Sequence, residues 1–325
     1  MNKAFLFSLS MAVAVWIIWF YFTYPATLHI IDHNWPISLT MVFGSFIAGA
    51  TSEGGGAVAF PVFTKLLHIS PVDARVFSLA IQSVGMMAAT LTIIILRVVV
   101  VWSVVLWASV GGAIGIVVGT LWIAPMLGPD LIKMLFTAMI VSFAMTLALL
   151  NWKQRLYNDD LLMLGWREKW IFLLAGFCGG IMSGLVGNGI DIICFSLMVL
   201  LFRLTEKVAT PTSVVLMALN SLLGFALHLG VTGDFTDQVE QYWLAAVPVV
   251  VLGAPLGAYC CTRLNNKTIA VVLIVLIIIE LISSLLLIPL TTEIIIVSLL
   301  VFMVFSMIYY QMSRVTCYLP DQEES

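Results

Sequence analysis

Charge is what this sequence has least of. Charged residues make up 10% of its 325 positions and hydrophobic ones 62%, whereas a soluble domain is about a quarter charged. Its 14 lysines and arginines form no basic patch, which excludes nucleic acid as a partner. Cysteine is also scarce. Cys178, Cys194, Cys260, Cys261 and Cys317 contain no CxxC pair, so they read as small hydrophobes, not as metal or redox ligands. The four histidines, His29, His33, His68 and His228, are scattered. Only His29, Asp32 and His33 fall together, and they read as part of a hydrated outer loop in preference to an i, i+4 metal pair. No GxxxxGK[ST] stretch occurs, which excludes ATP drive within this chain. Neither a metal, a cofactor nor an enzymatic constellation is expected.

Apolar runs recur instead, each of roughly 20 residues and long enough for the ~30 Å hydrocarbon core of a bilayer. The expected fold is an all-α integral membrane protein. Full crossings are expected over 4–24, 76–96, 98–123, 131–150, 207–229, 241–262, 268–288 and 291–312. The first of these lacks the short core and cleavage site of a signal peptide, so it reads as a retained helix. Two longer stretches, 37–68 and 170–203, are interrupted by Gly54-Gly55-Gly56 and by Gly187-Asn188-Gly189. The pieces beside the first break are each about half a membrane long at 1.5 Å per residue.

Lysine and arginine favour cytoplasmic loops, and that rule favours two re-entrant hairpins over two kinked crossings. With hairpins and an internal N-terminus, only Lys65, Arg75 and Lys133 of the 14 basic residues face outward. Both termini are then cytoplasmic and the protein is a multi-pass resident of the cytoplasmic (plasma) membrane.

The order of features also repeats. "GGGAVAF" at 54–60 matches "GNGIDII" at 187–193, "ARVFSLAIQS" from Ala74 matches "ATPTSVVLMA" from Ala209, and "GGAIG" at 111–115 matches "GAPLG" at 253–257. Three crossings follow each hairpin, an odd number, so the second copy enters from the opposite side as an inverted repeat. The expected divisions are 1–34 (first helix and outer loop), 35–150 (first repeat), 151–169 (cytoplasmic loop), 170–288 (second repeat) and 289–325 (last helix and cytoplasmic tail). Paired breaks in corresponding positions point to a substrate site near the midplane.

Irregular backbone survives in a bilayer only where protein or a wet cavity covers it. A half-helix that starts at such a break turns free N–H groups toward the cavity, which suits an anion. The expected donors are the backbone of Gly54, Gly55, Gly56, Gly187, Asn188 and Gly189, with the side chains of Thr51, Ser52 and Asn188. Ser78, Gln82, Ser213 and Asn220 lie on the polar faces of the crossings that follow. Ionisable residues inside a membrane are functional candidates. Glu53 and Asp191, beside the two breaks, are therefore candidates for proton coupling; capping of freed N–H groups is the competing role for Glu53. Glu280 is a candidate for a helix–helix contact or a transport role. Gly111, Gly112, Gly115, Gly119, Gly253 and Gly257 read as close-packing sites between helices.

The glycine triplet followed by Pro61, the paired segments Ala74–Ser78 and Ala209–Ser213, and the two small-residue helices resemble the sulfite exporter TauE/SafE family over nearly the whole chain after the first helix. That resemblance implies a secondary transporter moving sulfite, a sulfonate or a related organosulfur anion, mostly outward, with its anion site on the two glycine breaks. The sequence departs from the family pattern at Asn188, where glycine is usual, and in having no proline after the second break. An anion channel built on the same helix ends is the alternative. A small anion and the lipid bilayer are the expected partners, and comparison with other carriers alone suggests a homodimer.

Overall fold

The computed structural model describes residues 2–52, 62–151 and 165–314. Eleven helices form among them: α1 (Asn2–Thr23), α2 (Thr27–Ala50), α3 (Pro71–Ile95), α4 (Trp102–Val118), α5 (Pro129–Asn151), α6 (Trp166–Val186), α7 (Ile190–Leu200), α8 (Glu206–Leu227), α9 (Asp237–Arg263), α10 (Asn266–Leu287) and α11 (Thr292–Arg314). Single π turns extend α4 over Gly119–Ile123 and α8 over His228–Thr232. The starts follow local chemistry. Ser70 accepts a hydrogen bond from the Asp73 amide with Pro71 at the first helical position, and Asn265 accepts one from the Thr268 amide. Both satisfy amides that the first helical turn would leave unpaired.

Eight helices, α3–α6 and α8–α11, are long and apolar enough to cross a membrane. That set differs from the expected one at two places. α6 has 21 residues, about 32 Å at 1.5 Å per residue, so this arm of the second hairpin is membrane-length and not a half-crossing. At the start of the chain, α1 and α2 pass the same test only as a pair bent by 116°. The expected outer loop is helical from Thr27, which puts His29 and His33 on α2 with their rings stacked 5.9 Å apart. Pro36 kinks α2 and does not end it. Asn34 leaves helical geometry, and its side-chain amide donates to the Ile30 carbonyl at 3.0 Å. Among the described residues no group of three or more His, Cys, Asp or Glu is placed to hold a metal ion.

The second hairpin turns back on itself. A Cβ built at Gly179 would sit 2.6 Å from the Cα of Ile190, two helical turns back from the break. α7 is buried along nearly its whole length, with Phe195 edge-on to Phe143 of α5 at 5.9 Å. The first break, residues 53–61, with Glu53, Gly54, Gly55 and Gly56, lies outside the described residues.

Two backbone turns share one hydrogen-bond pattern. The Leu67 amide donates to the Val62 carbonyl and the Ile69 amide to the Phe63 carbonyl. Phe202 donates to Leu197 and Leu204 to Met198, 135 residues on in both cases. His68 and Arg203, at equivalent places in the two turns, both have positive φ, 53° and 58°.

Packing exchanges the halves. α2 lies on α9 and α6 lies on α4, while α3 crosses α8 and α5 crosses α10. The contacts are reciprocal in detail: a Cβ at Gly115 would fall on the Phe177 carbonyl of α6, and one at Gly257 on the Phe46 carbonyl of α2. The expected close-packing role of these helix glycines is therefore what the structure holds. Small residues bring backbones into direct contact where apolar burial gives no advantage over lipid.

Candidate functional site

The break between α6 and α7 is the centre of the described site. Gly187 and Gly189 have φ of 96° and 154°, a region that side chains with a Cβ rarely adopt. Gly187 closes α6 by donating to the Ser183 carbonyl at 2.9 Å. Its own carbonyl leaves the helix and is held from α3. Gln82 Nε2 donates to it at 3.0 Å and Ser78 Oγ at 3.3 Å, and Gln82 Nε2 also reaches Ser78 Oγ at 2.6 Å. Residues four apart share a helix face, so the face of α3 carrying Ser78 and Gln82 grips the elbow across the interface.

The amides freed at the start of α7 find partners inside the protein, contrary to the picture of bare donors. Asp191 Oδ1 accepts from the Gly189 and Ile192 amides, each at 3.0 Å, and Ser183 Oγ accepts from the Ile190 amide at 3.1 Å. The carboxylate of Asp191, the second residue of the half-helix, folds back and caps it. Asn188 is buried at the tip and hydrogen-bonded or otherwise engaged.

Several polar atoms around this elbow have no hydrogen-bond partner: Gln82 Oε1, Asp191 Oδ2, and both Oδ1 and Nδ2 of Asn220. Asn220, 2% exposed on α8, lies against α4, where a Cβ at Gly112 would be 3.0 Å from its Oδ1 and would collide with Ile190. Three residues expected from the sequence, Ser78, Gln82 and Gly187, thus meet directly, Gly189 bonds to Asp191, and Asn220 lies near Ile190. Ser213 bonds back to the Thr210 carbonyl at 2.8 Å and Thr51 to the Ile47 carbonyl at 3.0 Å, while Ser52 is buried next to the first break with an unpartnered hydroxyl.

A cleft of about 390 Å³ opens beside the elbow. It runs from Arg75 on α3 past Thr120 on the π turn of α4 and Lys133 on α5 to Leu185 and Val186, with Thr232 and Asp234 on its far wall. Of these, Arg75 and Lys133 read in the sequence as bases on the outer side, and Asp234 as an acid of the outer loop 230–240. Lys133 is not an exposed base. It forms a buried ion pair with Glu280 of α10, which gives Glu280 its partner. The signal for that pair was two opposite charges inside apolar runs of corresponding crossings, and no spacing rule links residues so far apart.

The family model for the sulfite exporter TauE/SafE matches residues 37–284. The probable membrane transporter protein YunE of Bacillus subtilis (strain 168) is 36% identical over 101 residues, 31% of this chain. The match spans 36% of that relative's own length. No solved structure matches the chain. The matched region runs from within α2 through both hairpin segments to the end of α10, and on that ground the chain belongs to the sulfite exporter TauE/SafE family of membrane transporters.

Proposed function

We propose that the protein is a secondary transporter of a small organosulfur anion, sulfite or a sulfonate, exported with proton coupling. The observation that carries this reading is the set of unpartnered polar atoms around one broken helix. A buried polar group without a partner costs about 1–3 kcal/mol, and this elbow gathers four, on Gln82, Asp191 and Asn220. A guest or its accompanying water supplies those partners in another state of the cycle. Asn220 offers the anion an N–H donor. Asp191 Oδ2 is an acceptor that a proton would convert into a donor, so protonation and anion binding favour one another. Glu53 at the first break is the corresponding candidate in the other half.

The exchanged packing of the halves supports alternating access by rocking of one half against the other around the paired breaks. The distribution of lysine and arginine supports cytoplasmic termini and opposite insertion of the two repeats in the plasma membrane. Reconstitution of the purified protein tests the function. Uptake of sulfite, sulfate, small sulfonates and small carboxylates would be measured at two pH values. Saturable flux of a sulfur anion that responds to a proton gradient is expected. Ohmic current would identify a channel, and absence of flux for every anion would refute the reading.

A further inference from the structure

The cleft beside the elbow has its own chemistry, separate from the buried polar atoms of the helix break. We propose that it is a second binding station, for a small organic monoanion whose oxyanion head meets Arg75 and Thr120 and whose apolar body lies on the walls. Three observations carry this.

The cleft has one basic group that no carboxylate claims at contact distance. Lys133 is satisfied by Glu280. Arg75 Nε is buried without a hydrogen-bond partner. Asp234 lines the same cleft and attracts Arg75 at longer range, but its Oδ2 lies 3.3 Å from His228 Nδ1 and the side chain is 40% exposed. Solvent and His228 therefore moderate its repulsion of an anion.

A second donor waits beside it. Thr120, 4% exposed, lines the cleft and its Oγ1 has no partner. A guanidinium and a hydroxyl together suit such a head, because Arg donates in a planar fork that matches oxyanions.

The remaining walls are apolar: Pro71, Val72, Leu121, Ala124, Ile132 and Leu185. A naked divalent oxyanion would lose hydration to such walls with little in return. A monoanion with an alkyl or aryl substituent keeps its head on the donors and buries its body. The cleft also ends at Val186, next to Gly187, so a guest released from it arrives at the elbow. The role of that guest as a transported solute rests on the transporter reading, whereas the binding chemistry does not.

The test uses Val72→Cys in the full-length protein in nanodiscs. Val72 lines the cleft, is 44% exposed and precedes Arg75 by one helical turn. Labelling at position 72 by sulfonatoethyl and by trimethylammonioethyl methanethiosulfonate would be followed by mass spectrometry of the peptide that carries it. The anionic reagent is expected to react faster by about tenfold, the scale on which local charge concentrates ions. Arg75→Gln should abolish the preference, Arg75→Lys should keep it, and Asp234→Asn should increase it. Benzenesulfonate should slow labelling, less so in Thr120→Val, and neutral benzenesulfonamide should not. Labelling without charge preference, or without protection by benzenesulfonate in Val72→Cys itself, overturns the proposal even if the Arg75 variants do not fold. Protection with no anion flux in liposomes would sustain the binding site and refute the transporter reading. Flux without protection would do the reverse.

Discussion

Lys133 and Glu280 form an ion pair between α5 and α10, both side chains buried. One turn further along the same two helices, Thr137 Oγ1 and Ser284 Oγ are hydrogen-bonded at 2.9 Å. Removing one member of a buried pair strands the other charge, at a cost of about 3–5 kcal/mol. Lys133→Met or Glu280→Leu alone should sharply lower the Tm of the purified protein. The double variant should recover most of the loss, as followed by tryptophan fluorescence on heating.

Gly115→Leu and Gly257→Leu should each destabilise by at least about 1–3 kcal/mol, the usual cost of overpacking, because the new side chain meets backbone on α6 or α2. Gly128→Ala is the control, since nothing lies within 4 Å of its added Cβ. Thermal stability in detergent checks all three.

Gln82→Leu leaves the Gly187 carbonyl to Ser78 alone. The expected result is a fall of up to about tenfold in transport rate, in keeping with about 0.5–1.5 kcal/mol for the one hydrogen bond removed. The monodisperse elution of the protein should be unchanged. Flux in proteoliposomes, with size exclusion as the folding check, reads both.

Asp191→Ala removes the cap from α7 and should lower stability by about 0.5–2 kcal/mol, whereas Asp191→Asn keeps an acceptor for the Gly189 and Ile192 amides. The Asn variant separates the cap from the proton. Its Tm should stay close to that of the parent, and its flux should no longer change between two pH values.

Much of this arrangement was legible in the residues. Gly187-Asn188-Gly189 marks a break at which the two glycines take positive φ, and the shared order of features pairs the segments that hold the like turns at Ile69 and Leu204. Other features were not legible, for physical reasons. The stretch after Tyr24-Pro25 reads as an outer loop, yet α2 starts at Thr27 and runs through a kink at Asn34. The length of α6 was hidden because Trp166 and the charges after it look like a loop, although a helix at a membrane surface tolerates them. The capping of α7 by Asp191 and Ser183 was missed because a carboxylate in an apolar run signals function and structure alike. The cleft could not be foreseen at all, since Arg75, Thr120 and Lys133 come together only through tertiary packing.

The exchanged pairing has a consequence for biosynthesis. The glycine-lined seam joining Gly49 to Ala254 unites segments made about 200 residues apart. At the usual ~5–20 residues per second, the earlier rod spends about 10–40 s in the lipid before its companion leaves the ribosome. Whatever shelters newly made membrane chains must shield that seam in the interval, so a defect there should show first as failed insertion and degradation and only afterwards as lost transport.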